Sequence, residues 1–168
     1  MKKHGFTLIE LIIVLAILGL LLSLAFPRIP LQRIRYDDCA ENFYFKMLEL
    51  RELTYRTNYR YEIRFGPDQD IELSETGTVW RGFSKVTIYE QNDADQYPRM
   101  KAVESMTLPD HFYLRYASAS SNRKIRFDPN LTLGEACTLI FFDKSGRYQR
   151  KLTVDVWTNR IYLYKKEG

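Results

Sequence analysis

One carboxylate interrupts the most apolar stretch of the sequence. Phe6 to Phe26 runs for 21 residues with a single charged side chain, Glu10. An ionised group in such a run is costly to desolvate and is usually kept for a task, pairing with an opposite charge above all. Other residues suited to chemistry are sparse. His4 and His111 are the only imidazoles in 168 residues, and neither lies in a nucleophile motif. His111, following Pro109-Asp110, reads as an ordinary histidine at the start of a strand. Asp93-Ala94-Asp95-Gln96 alternates acidic oxygens as calcium loops do, but it lacks the glycine and distal glutamate of the EF-hand, so a solvated loop is expected. With no metal-spaced His/Cys cluster and no glycine-rich phosphate loop, the sequence implies no metal, no cofactor and no enzyme. Basic residues gather at the end of the chain: Arg147, Arg150, Lys151 and Arg160, interleaved with Tyr148, Tyr162 and Tyr164. That mixture suits contact with single-stranded nucleic acid, although such charge is more often a solvated face.

These residues sit on two different materials. The chain carries 25 basic and 21 acidic residues for a net charge of +4, and all twelve tyrosines follow the apolar run. The aromatic content excludes disorder, and the lack of a second long apolar run excludes a multi-span membrane protein. Two cysteines make at most one bridge, which excludes a disulfide-stapled mini-protein. As a helix, 21 residues extend about 31 Å, enough to cross a bilayer core. Pro27 and Pro30 predict a kink or break beyond it. Tyr36, Ala40, Phe43, Met47, Leu50 and Thr54 then recur at spacings of three and four, one core-facing stripe of a stem helix. Phe45 lies off that stripe, as a candidate contact to a neighbouring molecule.

From Tyr59 the period becomes two. Tyr59, Tyr61, Ile63 and Phe65 alternate with Arg60, Glu62 and Arg64, which places the three charged residues on a solvent face. Gly66-Pro67-Asp68-Gln69-Asp70 reads as a turn before a short strand at Ile71–Leu73. Further strands are expected at 86–89, 112–116 and 124–127. The apolar run 137–142 reads as a central strand. An Asp143-Lys144-Ser145-Gly146 turn leads to a strand at 148–157, and a last tight turn to 161–164. One helix followed by many strands is an α+β body, with a long N-terminal helix packed on an antiparallel sheet.

The residues around Glu10 carry a resemblance. Lys2, Lys3 and the run Gly5-Phe6-Thr7-Leu8-Ile9-Glu10 closely resemble the class III signal of type IV pilins, pseudopilins and their relatives. The resemblance implies cleavage by a prepilin peptidase between Gly5 and Phe6, and N-methylation of Phe6. It makes Glu10 the acidic assembly residue, able to meet the N-terminal amine of a neighbouring subunit, and Pro27 the helix-kinking proline. The implied organisation is a leader at 1–5, a transmembrane and filament-core helix at 6–26, a stem at 27–57 and an extracytoplasmic β-rich body at 58–168. Partners implied are other pilin or pseudopilin subunits, the peptidase, the inner-membrane assembly platform and the membrane itself. The implied location is the bacterial cytoplasmic membrane with the N-terminus inside, then a pilus or pseudopilus. Arg28, Arg33 and Arg35 beyond the span argue for the opposite orientation on the positive-inside rule, and the leader overrules them.

The closing strands resemble the minor pseudopilin of the H type in type II secretion and related minor pilins. The leading expectation is therefore a minor pseudopilin of a type II secretion system. The alternatives are a minor pilin of a type IV pilus or competence system, with DNA on the basic C-terminal residues, and a membrane-anchored extracytoplasmic enzyme. Outside the cytoplasm a Cys39–Cys137 bridge between stem and sheet could persist, but two separately buried thiols are the expectation.

Overall fold

The computed structural model describes residues 7–25, 31–92, 99–117, 123–130, 136–156, 158 and 160–164. The chain divides into two compact units, Met1–Gln32 and Arg33–Gly168. The first contains helix α1, Leu8–Ala25. Gly5, Phe6 and Pro27 lie outside the described residues, as do Asp93 to Gln96.

Helix α2, Leu31–Thr57, leads into the second unit. Its buried residues are Tyr36, Ala40, Phe43, Met47, Leu50 and Thr54, the stripe read from the sequence, while Phe45 is 59% exposed. Thr54 satisfies its hydroxyl within the helix by donating to the Leu50 carbonyl at 2.7 Å. Termination is local: Asn58 takes a left-handed conformation (φ 59°), and its N–H donates to the Thr54 carbonyl at 3.1 Å. That is an αL cap, which Asn tolerates better than most side chains.

Ten strands follow: β1 (Arg60–Phe65), β2 (Asp68–Glu72), β3 (Val79–Phe83), β4 (Lys85–Gln91), β5 (Lys101–Thr107), β6 (Phe112–Ala117), β7 (Lys124–Phe127), β8 (Cys137–Asp143), β9 (Gln149–Asp155) and β10 (Arg160–Leu163). They form two antiparallel sheets, one ordered β5-β4-β1-β7 and the other β10-β9-β8-β6-β3-β2. The α+β class is thus observed, with the helix packed on antiparallel sheets. Two details differ from the sequence reading. Asp68 to Asp70 is strand rather than turn, because its backbone pairs with Phe83 to Arg81 at the sheet edge. Strands β3 and β5 add pairings that carry no clear alternating signal.

One core joins the stripe of α2 to both sheets, taking Ile63, Val86, Ile88, Ile125 and Phe127 from the smaller and Phe112, Leu114, Leu139, Phe141 and Leu152 from the larger. Tyr36 stacks on Phe112 with ring centroids 4.4 Å apart, and Phe43 meets Phe141 edge-on at 5.6 Å. Strand β8 is covered on both faces, which explains its unbroken apolar run. Phe141 faces α2, while the next residue, Phe142, packs with Ile71, Leu73, Trp80 and Tyr113 in a second cluster. Gly82 makes room for it, since a Cβ there would lie 3.0 Å from both Phe142 Cζ and Tyr113 Cβ.

Candidate assembly site and charged clusters

Helix α1 begins with a reciprocal cap. The Thr7 N–H and Thr7 Oγ1 each donate to Glu10 Oε2 at 2.9 Å, and the Glu10 N–H donates back to Thr7 Oγ1 at 3.3 Å. This is a capping box, Thr-x-x-Glu, closing two backbone donors that the first helical turn leaves open. The carboxylate is thus held at the helix start. Behind it the large side chains from Leu8 to Leu21 are 44–77% exposed around the whole cylinder. A helix apolar on every side needs cover from lipid or from other protein. Among the described residues no helix is long and apolar enough to cross a membrane. The Phe6–Phe26 run of the sequence extends past both ends of α1.

Charge on the second unit is organised differently from the sequence reading. Arg150 is 8% exposed, and its Nη1 donates to Asp37 Oδ1 at 3.0 Å and Glu41 Oε1 at 3.1 Å, tying β9 to α2. Tyr148 donates its hydroxyl to the same Asp37 oxygen at 2.7 Å. Burial, then the neighbouring Asp37 carboxylate, pushes the Tyr148 phenol far above its usual range, so the proton stays on the tyrosine. Arg150 therefore has no place in a solvent-facing patch for DNA. Successive strand residues point to opposite faces, so Lys151 and Arg160 lie outside while Arg150 turns inward. Lys151 sits 5.5 Å over the Tyr164 ring, Arg160 donates to the Tyr162 hydroxyl at 3.5 Å, and Arg147 pairs with Glu75. The grouping suggested by the sequence is split between two faces.

Glu62 is the second departure. Only 1% exposed, it receives Arg64 Nε at 2.5 Å, Lys124 Nζ at 3.4 Å and Arg126 Nη2 at 3.5 Å. Alternation placed it correctly opposite Tyr61 and Ile63, yet its own face is roofed by β7 side chains from sixty residues later. Burial raises its carboxyl pKa, but the hydrogen bonds and charges of Arg64 and Lys124 outweigh that, and the net displacement is downward. A carboxyl depressed in the folded state stabilises the fold above its unfolded pKa of about 4.3. That contribution is lost as pH falls below this value and through the folded pKa. Glu62→Gln should therefore lower the melting midpoint at pH 7, and the gap from the parent protein should narrow on titration to pH 3. A gap that stays constant would mean the carboxylate charge contributes nothing.

Cys39 and Cys137 are both thiols, not joined in a disulfide, one half-buried on α2 and the other buried on β8. Desolvation pushes the Cys39 thiol up to about 11, so it is inert as a thiolate at neutral pH. His111 is exposed in a left-handed turn (φ 60°) just before β6, where its carbonyl accepts from the Lys144 N–H. Among the described residues no group of His, Cys, Asp and Glu is placed to hold a metal ion. Sequence reasoning missed the Arg150 and Glu62 clusters, which join elements tens of residues apart, and a cleft lined by Arg81, Arg115 and Arg123.

The antiparallel body with its packed helix has a pilin-like fold. Residues 1–26 match the family described as the prokaryotic N-terminal methylation motif. The chain is similar in fold to solved minor subunits. The minor pseudopilin EpsH from the type 2 secretion system of Vibrio cholerae is similar at a TM-score of 0.56 and 15% identity, over 77% of this chain and 96% of that one. The type IV minor pilin FimU of Pseudomonas aeruginosa is similar at 0.55 and 16%, over 80% of this chain and 91% of that one. No curated protein matches the chain by sequence.

Proposed function

We propose that this chain is a minor pseudopilin or minor pilin, processed by a prepilin peptidase and assembled through α1 into a type II secretion pseudopilus. The observation that carries the reading is the methylation motif running directly into an all-round apolar, unburied helix whose first turn holds Glu10. Cleavage between Gly5 and Phe6 removes Met1 to Gly5 and leaves an amine at Phe6, the natural partner for a carboxylate in apolar surroundings. In this reading α1 is the membrane anchor of the precursor and the packed core of the filament. The body works by contact with other subunits or cargo, not by catalysis. A type IV pilus is the second reading, favoured by the nearly equal likeness to FimU. DNA uptake through the C-terminal residues is weakened by the burial of Arg150.

Intact mass of the protein co-expressed with a prepilin peptidase tests the class. Loss of Met1 to Gly5, with one added methyl, is the expected result, and Gly5→Ala should leave most of the chain unprocessed. A full-length mass for the parent chain in the presence of an active peptidase would refute the reading.

A further inference from the structure

Three guanidinium groups from separate elements meet at one open cavity of about 320 Å³ on the outer part of the larger sheet. Arg81 comes from β3, Arg115 from β6, and Arg123 immediately precedes β7; Asp68, Trp80, Phe83 and Tyr116 complete most of the lining. Among the described residues, Asp68 is the only carboxylate in the wall. It pairs with Arg123 at 2.8 Å and more loosely with Arg81 at 3.9 Å, while Asp70 reaches Arg81 from beside the cavity at 3.5 Å. Arg115 makes no ion pair or hydrogen bond among the described residues. It lies over the Trp80 ring at 4.9 Å, and Arg123 lies over Phe83 at 5.9 Å. Arg123 adopts a positive φ of 45° to do so, a conformation uncommon for a bulky residue.

Stacking on a ring fixes the plane of a guanidinium while leaving its in-plane N–H donors for an oxyanion. The same stacking decides what kind of anion fits. Trp80 is already in contact with Arg115 and, edge-on, with Phe142, and Phe83 is in contact with Arg123 and Phe65. Rings that already carry guanidinium groups are poorer platforms for the nucleobase stacking on which single-strand recognition depends. The volume lies at the low end for ligand sites and admits one or two side chains, not a tracked backbone. We propose that this cleft binds carboxylate side chains of an acidic peptide segment on a partner protein, with Arg115 as the central bidentate donor. The inference stands independently of how the N-terminus is processed.

The full chain in detergent micelles can be titrated against a fluorescein-labelled hexaglutamate peptide, a hexaglutamine peptide and a labelled single-stranded hexanucleotide, read by anisotropy. Hexaglutamate should bind and hexaglutamine should not. Arg115→Gln and, separately, the more exposed Arg81→Gln should each weaken binding by about tenfold, the usual scale for a charge-assisted bidentate contact. Lys101→Gln, an equal loss of charge on β5 at the far edge of the smaller sheet, should change it by less than about twofold, as distant surface charges are screened. Failure of hexaglutamate to bind, tighter binding of the oligonucleotide, or equal weakening by Lys101→Gln would overturn the proposal.

Discussion

Replacing Asp37 and Glu41 together by Asn and Gln should destabilise the body by about 3 kcal/mol or more, whereas Arg150→Met should change it by about 1 kcal/mol or less. The asymmetry follows from where each partner sits. The guanidinium side is 8% exposed, while the Asp37 and Glu41 side chains are 45% and 50% exposed. Neutralising the carboxylates leaves a cation that is almost wholly buried with no counter-charge. Removing the arginine leaves two carboxylates that hydrate freely. Arg150→Met also removes a buried Nε that has no hydrogen-bond partner among the described residues, and methionine fills a similar volume. Chemical denaturation of the full chain in detergent, followed by tyrosine absorbance, gives the comparison. If Arg150→Met proves the more damaging change, the ion pair itself, not the avoidance of an unpaired buried charge, holds helix to sheet. Tyr148 supplies a further check, because its hydroxyl loses a 2.7 Å acceptor when Asp37 is replaced by Ala, and its absorbance should then titrate closer to that of an ordinary tyrosine.

This clamp also marks the limit of what the sequence discloses. The stripe Tyr36 to Thr54 was legible because a helix repeats its buried face every three or four residues within a short window, and all six positions are buried. Strand β1 was legible for the same reason at period two. Periodicity, however, assigns a residue to a face and says nothing of what covers that face. Glu62 was read as solvent-facing for that reason, whereas Arg150, in step with Leu152 and Val154 on the buried face, was read so from its charge; in each case the cover comes from a distant segment: Lys124 and Arg126 over Glu62, α2 over Arg150. Edge strands are opaque in another way. Asp68 to Asp70 and Lys101 to Thr107 have one side unpaired and little burial, so polar residues are tolerated and no alternation is imposed. The N-terminal site was readable for a different cause. Its signal is a contiguous run, Gly5 to Glu10, within the matched motif, and its Thr7 and Glu10 form the cap that starts α1. The arginine cleft needed the opposite, three elements brought together across more than forty residues.

The last expectation concerns Glu10, whose carboxylate has two candidate tasks that ordinary truncation would confuse. Within its own chain it accepts from the Thr7 N–H and hydroxyl and so starts the helix. In the proposed filament it meets the Phe6 amine of a neighbouring subunit. Glu10→Ala abolishes both and should be processed normally yet be incorporated into filaments at least about tenfold less, as expected when a buried amine loses its partner. Glu10→Gln separates the tasks. A glutamine at this third helical position still accepts the Thr7 N–H, as capping boxes with Gln do, but it carries no charge for an amine. Thr7→Ala does the converse, removing the hydroxyl side of the cap while keeping the carboxylate. If register depends on charge, Glu10→Gln should assemble as poorly as Glu10→Ala and Thr7→Ala should assemble nearly as the parent does. Rescue by glutamine, with a strong defect in Thr7→Ala, would instead assign Glu10 to shaping its own helix start. The balance between these outcomes is set by dielectric. Before assembly, the cap supplies the carboxylate with two donors and lowers the cost of placing it beside lipid. On assembly, an amine can replace those donors only if the surroundings are dry enough to make a full charge pair stronger than two local hydrogen bonds. Filament yield for the three variants, measured beside the processed mass, therefore reports how dry the subunit interface is at the level of Glu10.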